Sequence, residues 1–232
     1  MNAPILSYGT VKLYGVPHAR GLANEIFTED CYNFDKIPRE TIVLDIGACY
    51  GEFAIRCAVE KRSRVIAYEP SIANRDILAS NAQLNGLTAD HLVMSPLAIG
   101  TPGRRTFMHR PDHPAGSAFE AEALKHGCTG TAYEVECAGL LDQIREARQR
   151  WGDLPVVVKM DCEGAEYEIF EDLSWIDQVA VIAMEWHCYD GAHFKGLIEP
   201  KGFRVLVEGG GPKPRPACDP TIGAGLLFAV RA

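Results

Sequence analysis

The sequence predicts an α/β protein: a mostly parallel central sheet with helices on both faces and a C-terminal antiparallel hairpin. Three observations carry this. Short apolar runs of strand length alternate with helical patterns between residues 41 and 207, and parallel strands need such crossovers. The run 156–160 is nearly continuous in apolar residues, as a central strand buried on both faces is. The last two apolar runs, 203–207 and 225–230, are joined by a loop with no helical pattern, so they must pair antiparallel.

Residues 1–40 read as an N-terminal cap. Residues 10–14 alternate and predict a strand, which Gly15-Val16-Pro17 breaks. Residues 24–34 mix acidic and aromatic side chains; a structural cap is the first reading and a substrate wall the alternative. The core follows over 41–232. Strand 41–45 leads to helix 52–60 and strand 64–68. A helix then runs from a Ser71 cap to Asn85, with Gly86 as its stop, before strand 92–95. Residues 101–136 interrupt the alternation as an insertion. Strands are predicted over 104–110 and 133–137, around a stretch, 111–131, rich in Pro, Gly, Ser and His. That stretch reads as a solvated loop, with Gly116-Ser117 as the part able to approach the site. Helix 139–151, strand 156–160, a helix to about 173, strand 179–185 and a short helix near 193–200 complete the order. Gly209-Gly210-Gly211-Pro212 opens the final loop. No repeat or linker divides the 232 residues, so one domain is expected.

The formal charge is −8 and no Lys/Arg-rich block occurs, which disfavours nucleic acid and anionic membrane as partners. No apolar run approaches the ~20 residues that span a bilayer, and residues 1–10 lack signal-peptide character. A cytoplasmic location is expected. Cys31, Cys49, Cys57, Cys128, Cys137, Cys162, Cys188 and Cys218 include no C-x-x-C pair. They read as reduced thiols rather than a zinc site. Self-association is left open.

The first strand ends in Asp45-Ile46-Gly47-Ala48-Cys49-Tyr50-Gly51 and opens a helix. This is the strand, glycine turn and helix of a nucleotide-binding unit. It is not the G-x-G-x-x-G of dinucleotide binders, which argues against an oxidoreductase. A carboxylate beside the turn, Asp45, would repel a pyrophosphate but suit a ligand with an ammonium group. S-adenosylmethionine (SAM) has an ammonium, a sulfonium and no phosphate.

Ligands of open α/β sheets bind beyond the carboxyl ends of the strands. The second strand ends at Glu69, placed to accept ribose hydroxyls. Leu97 and Ala98 follow the third strand and would flank an adenine. The fourth strand carries Lys159, Asp161 and Glu163, and the fifth Glu185 and His187. Strand alternation sets each pair on one side. His187 is the first choice for a general base, with a structural histidine as the alternative. Lys159 is expected to be buried and to need Asp161, Glu163 or Glu185 as its partner. Asp161, Glu185 and His187 together form a candidate site for Mg²⁺ or another divalent ion.

Leu44-Asp45-Ile46-Gly47-Ala48-x-x-Gly51 resembles the first motif of class I SAM-dependent methyltransferases. Several further blocks narrow the resemblance to the FkbM family: Gly51-Glu52-Phe53, Ala67-Tyr68-Glu69-Pro70, Asn81-x-x-x-Asn85-Gly86, and Lys159-x-Asp161-x-Glu163-Gly164-Ala165-Glu166. The last is the most specific. Cys49 departs from the family's usual Asn. The resemblance implies a Rossmann-like methyltransferase fold and SAM as cofactor. It implies O-methylation of a hydroxyl on a small molecule, a sugar or polyketide-like natural product. Asp45, Gly47, Ala48, Gly51, Glu69, Leu97 and Asp161 would then bind the cofactor, and His187, Asp161 and Lys159 would serve catalysis. An N-methyltransferase acting on a small molecule or nucleobase, and a non-catalytic nucleotide-binding protein, are the alternatives.

Overall fold

In the computed structural model, residues 3–125, 127–187, 191–209 and 224–232 are described. The expected Gly210–Pro212 part of the loop, Cys188 and Cys218 lie outside them.

Seven strands form the central sheet: β3 (Ile42–Ile46), β4 (Arg64–Tyr68), β5 (Leu92–Ser95), β10 (Val156–Met160), β11 (Val181–His187), β12 (Phe203–Gly209) and β13 (Ala224–Arg231). Their spatial order is β12-β13-β11-β10-β3-β4-β5. The five strands from β5 to β11 run parallel. β13 runs antiparallel between β11 and β12, the hairpin that the missing crossover demands.

Alternate residues of each strand enter two apolar clusters, one per face. Ile42, Leu44, Ile46, Val158, Met160, Ile182 and Met184 pack under Ile144, Trp175, Ile176 and Phe194. Val43, Val157, Val181 and Ala183 pack under Phe53, Ala54, Cys57 and Leu78. The first cover comes from α5 (Leu140–Trp151), the 3₁₀ turn Leu173–Gln178 and α7 (Gly191–Ile198). The second comes from α2 (Glu52–Arg56), its continuation Cys57–Lys61, and α3 (Ile72–Leu84). Ser71 caps α3 by accepting from the Asn74 amide, and Gly86 turns left-handed beyond its end, as expected.

The N-terminal segment holds more structure than its sequence signals. A hairpin pairs β1 (Ile5–Tyr8) with β2 (Val11–Tyr14), and α1 (Ala19–Phe27) follows. Two side-chain amides, one in α3 and one at its C-cap, tie β2 down. Asn81 Oδ1 accepts from Tyr14 N at 2.8 Å, and Asn85 Oδ1 accepts from Lys12 N at 2.9 Å. Asn81 Nδ2 also donates to the Tyr50 carbonyl at 2.9 Å. The Asn81-x-x-x-Asn85 spacing therefore works as one helix face that serves a strand edge.

The stretch read as a solvated loop adds a strand and a short helix, and the two strands expected on either side of it belong to a second sheet. Its order is β6-β9-β7-β8, with β6 (Ala98–Ile99), β7 (Gly103–His109), β8 (Ala118–Phe119) and β9 (Thr131–Ala138). A short helix, α4 (Glu120–Lys125), lies within it. Arg105 holds this sheet to α6 (Glu166–Glu171), donating at 2.6 Å to both oxygens of Glu168. His109 Nδ1 meets Ser71 Oγ at 3.0 Å. Among the described residues no helix is long and apolar enough to cross a membrane.

Candidate active site

A cavity of about 820 Å³, measured out to its open mouth, lies beyond the carboxyl ends of β3, β4 and β10. Gly47-Ala48-Cys49, Glu69-Pro70, Lys159 and Asp161-Cys162 line its base. Leu22, Glu25, Ile26 and Tyr32 close one side; Leu97, Phe107, Pro114, Ser117 and Phe119 close the other. Both the segment read first as a cap and the stretch read as a solvated loop are thus walls. Each buries apolar side chains that the sheet edge alone leaves uncovered.

Gly47 and Gly51 shape the turn for different reasons. Gly47 has φ +75°, and a Cβ there would sit 1.8 Å from the Asp161 carbonyl oxygen. The close approach that requires glycine is therefore to the turn after β10. Gly51 has φ +86°, and its Cβ would meet Leu78 at 2.7 Å. Gly51 packs α2 on α3 and does not reach the cavity wall. Cys49 and Glu163, on the two facing turns, also have positive φ, +48° and +53°. Strain at non-glycine residues is held only where the surroundings over-determine it.

Asp45 also stands behind the wall. The register pairs it with Lys159 across β3 and β10, and Lys159 Nζ lies 3.2 Å from Asp45 Oδ1. Lys159 further donates to the Gly47 carbonyl at 3.0 Å, and lies 3.9 Å from Asp161 Oδ2. Its nearest carboxylate is thus Asp45, not the acids of its own turn or of β11, because parallel register sets the two side by side. Burial opposes the ammonium, but Asp45 and Asp161 raise its pKa above the lysine range. Tyr32 completes the group, donating its hydroxyl to Asp161 Oδ2 at 2.9 Å. Burial and the neighbouring Asp161 raise the phenol's pKa, so Tyr32 keeps its proton.

His187 sits at the end of β11 with its side chain 5% exposed. Its Nδ1 lies 3.2 Å from Glu166 Oε1. Its Nε2 faces Asp161 Oδ1 at 4.0 Å, Glu163 Oε2 at 3.8 Å and Glu185 Oε1 at 3.8 Å. Burial lowers its pKa, but Glu163, Glu166 and Glu185 overcome that and hold it at about 10. An imidazolium has no lone pair with which to take a proton, so this setting does not suit the general base expected of His187. The expected ion-binding trio also shifts. Ligand atoms of Asp161, Glu163 and His187 all lie within 4.8 Å of one another. Glu163 takes the place foreseen for Glu185, because positive φ at Glu163 and Gly164 turns the chain back toward β11.

The methyltransferase FkbM domain model matches residues 45–205, more than half of the chain. The chain belongs to the FkbM methyltransferase family. Methyltransferase sdnD of Sordaria araneosa is 24% identical over 217 residues, covering 82% of this chain and 84% of that protein. Methyltransferase 1 of Beauveria bassiana is 25% identical over 202 residues, covering 79% and 80%. A SAM-dependent methyltransferase from Agrobacterium tumefaciens shares the fold with a TM-score of 0.51 at 9% identity, over all of this chain and 70% of that one. This FkbM-family protein is a SAM-dependent methyltransferase, and SAM is its cofactor.

The cavity's polar atoms fit that cofactor. Glu69 is buried, and its carboxylate accepts from Cys49 N and Ser71 N, both at 2.8 Å. Two fixed backbone donors leave it pointing at the cavity with lone pairs to spare for a diol. Burial raises its pKa to about 7 against those two donors. Glu52, also on the wall, is 4% exposed, and its Oε1 makes no hydrogen bond among the described residues. An orphaned buried carboxylate oxygen is suited to an ammonium. Burial raises the Glu52 pKa to about 8. Leu97 and Phe107 supply apolar surface.

Of the residues picked from sequence, Gly47, Ala48, Glu69, Leu97, Lys159 and Asp161 reach the wall; Asp45 and Gly51 support it from behind. Glu52 and Tyr32 were missed. Glu52 carries a signal in hindsight, an acid in the first turn after the glycines. Tyr32 carries none beyond being an aromatic in an acidic stretch.

Proposed function

We propose that this FkbM-family enzyme methylates a hydroxyl oxygen of a small molecule, a sugar or polyketide-like natural product. The observation that carries the reading is Asp161: a carboxylate on the cavity wall, aimed by Tyr32 and flanked by the Lys159 ammonium. When bound, SAM supplies an activated methyl group. The chain's own work is to hold the acceptor and take its proton. A hydroxyl is a poor nucleophile until that proton leaves, and a positioned base contributes ~10²–10⁴-fold. Asp161 takes the proton in this reading. Lys159 anchors Asp161 from behind the turn. Glu52 and the backbone at Gly47 and Ala48 hold the amino-acid end of the cofactor, Glu69 its ribose, and Leu97 flanks its base.

A small acceptor is supported by the two side walls, which close the cavity with apolar residues such as Leu22, Ile26 and Phe119. Glu25, Glu52, Glu69 and Asp161 make the lining acidic, which disfavours a polyanionic acceptor.

The test is incubation of the purified protein with SAM and matched panels of alcohols and amines. S-adenosylhomocysteine release is followed and the methylated atom identified by NMR. O-methyl product is expected. Asp161→Asn should lower kcat by about 100-fold or more and leave the SAM dissociation constant within about threefold. N-methyl product, or an undiminished Asp161→Asn enzyme, would overturn the reading.

A further inference from the structure

Beside the cofactor cavity, at the ends of β10 and β11, stands a constellation of Asp161, Glu163, Glu166 and His187, of which only Asp161 lines that cavity. His187 is buried with Nε2 unsatisfied: no described atom hydrogen-bonds to it. The ring is nevertheless firmly aimed. Nδ1 meets Glu166 Oε1 at 3.2 Å. Glu166 is fully buried and is itself fixed by the amides of Cys162 at 2.9 Å and Gly164 at 2.8 Å. A carboxylate that holds one imidazole nitrogen leaves the other facing outward; an ion arriving there displaces its proton and takes up the lone pair, which is how metal-ligating histidines are oriented.

That nitrogen points at carboxylate oxygens at distances that fit an ion better than a hydrogen bond. Direct N–H···O contacts fall near ~2.8 Å, and none of the three exists here. Two ligands each ~2.1 Å from one ion lie ~3 Å apart at right angles and up to ~4.2 Å apart when opposed. The separations from Nε2 to Asp161 and Glu163 are 4.0 and 3.8 Å, inside that range. No two ligand atoms of the trio are more than 4.8 Å apart, so a side-chain adjustment of roughly half an ångström closes the set around an ion.

We propose that Asp161, Glu163 and His187 bind one divalent first-row metal ion, of the Mn²⁺ class, with Glu166 orienting the histidine. One imidazole with two carboxylates favours such an ion over Ca²⁺, which takes oxygen ligands. Asp161 belongs both to this trio and to the cavity wall. A cation there stands next to the acceptor, where it polarises a hydroxyl and makes its proton easier to lose. That consequence rests on the O-methylation reading; the binding site itself does not.

The whole chain, stripped with EDTA and returned to chelator-free buffer, is titrated with Mn²⁺ while the free ion is followed by electron paramagnetic resonance. One saturable ion per chain is expected. Glu163→Gln should weaken its binding by about tenfold or more; this side chain is 15% exposed, and a circular dichroism melt checks the fold. His187→Gln is the second variant and should lose the ion as well. The proposal is overturned if the wild type takes up no saturable Mn²⁺, or if folded Glu163→Gln binds it as the wild type does. SAM binding by calorimetry is a separate readout. Its failure would count against the methyltransferase reading, and the Mn²⁺ titration would still decide this one.

Discussion

Tyr32 donates its hydroxyl to Asp161 at 2.9 Å across 129 positions of sequence. The Lys159 ammonium lies 5.2 Å from the centre of the same ring. A residue of the N-terminal segment thereby aims a carboxylate of the central sheet, and the segment is part of the site rather than a lid on an edge.

Tyr32→Phe keeps the ring against Phe53 and removes only the donor. The lost hydrogen bond to a charged group should cost about 2 kcal/mol of stability. The larger effect is expected on kcat, about tenfold down, because Asp161 loses its aim. The dissociation constant of SAM should hold. Steady-state kinetics beside calorimetry separates the two; unchanged kcat would remove Tyr32 from the site.

Gly47→Ala has nowhere to go. A methyl group there would stand 1.8 Å from the Asp161 carbonyl oxygen, on a backbone with φ +75°. Both turns must part, so a loss of about 3 kcal/mol or more is expected, together with loss of SAM binding. Gly51→Ala meets a side chain, that of buried Leu78, and not a facing backbone turn, and should be milder. Denaturant midpoints rank the two variants, and the opposite order would disprove this account of the turn.

Glu52 and Glu69 make stability depend on pH. Burial raises their pKa values from the ordinary 4.5 to about 8 and about 7. The folded protein then binds more protons than the unfolded chain between those limits, so stability falls as pH rises. His187, raised from 6.5 to about 10, adds the same sign at higher pH. The SAM-free protein should therefore melt at a lower temperature at pH 8 than at pH 6. Glu52→Gln should flatten that slope. A wild-type melting temperature that rises between pH 6 and pH 8 would contradict the assignment.

Much of the fold was legible because its signals are local. The 156–160 run is apolar because β10 is buried on both faces, and Ser71 and Gly86 bracket α3 by their own backbone chemistry. The order of the walls was not legible. The pairing of β6 with β9 joins residues that flank the whole insertion, and no periodicity within 111–131 announces that the stretch folds back on the cavity.

At the site the division is the same. By itself the sequence determined which titratable side chains stand at strand ends, since Glu69, Asp161 and His187 each follow an apolar run and alternation sets their side. Only the tertiary structure decided what each one faces. Parallel register gave Lys159 to Asp45, left-handed turns brought Glu163 across to His187, and chain reversal delivered Tyr32 to Asp161. Spacing along the chain carries strand direction and residue parity. It does not carry the distance between two turns, which packing alone sets.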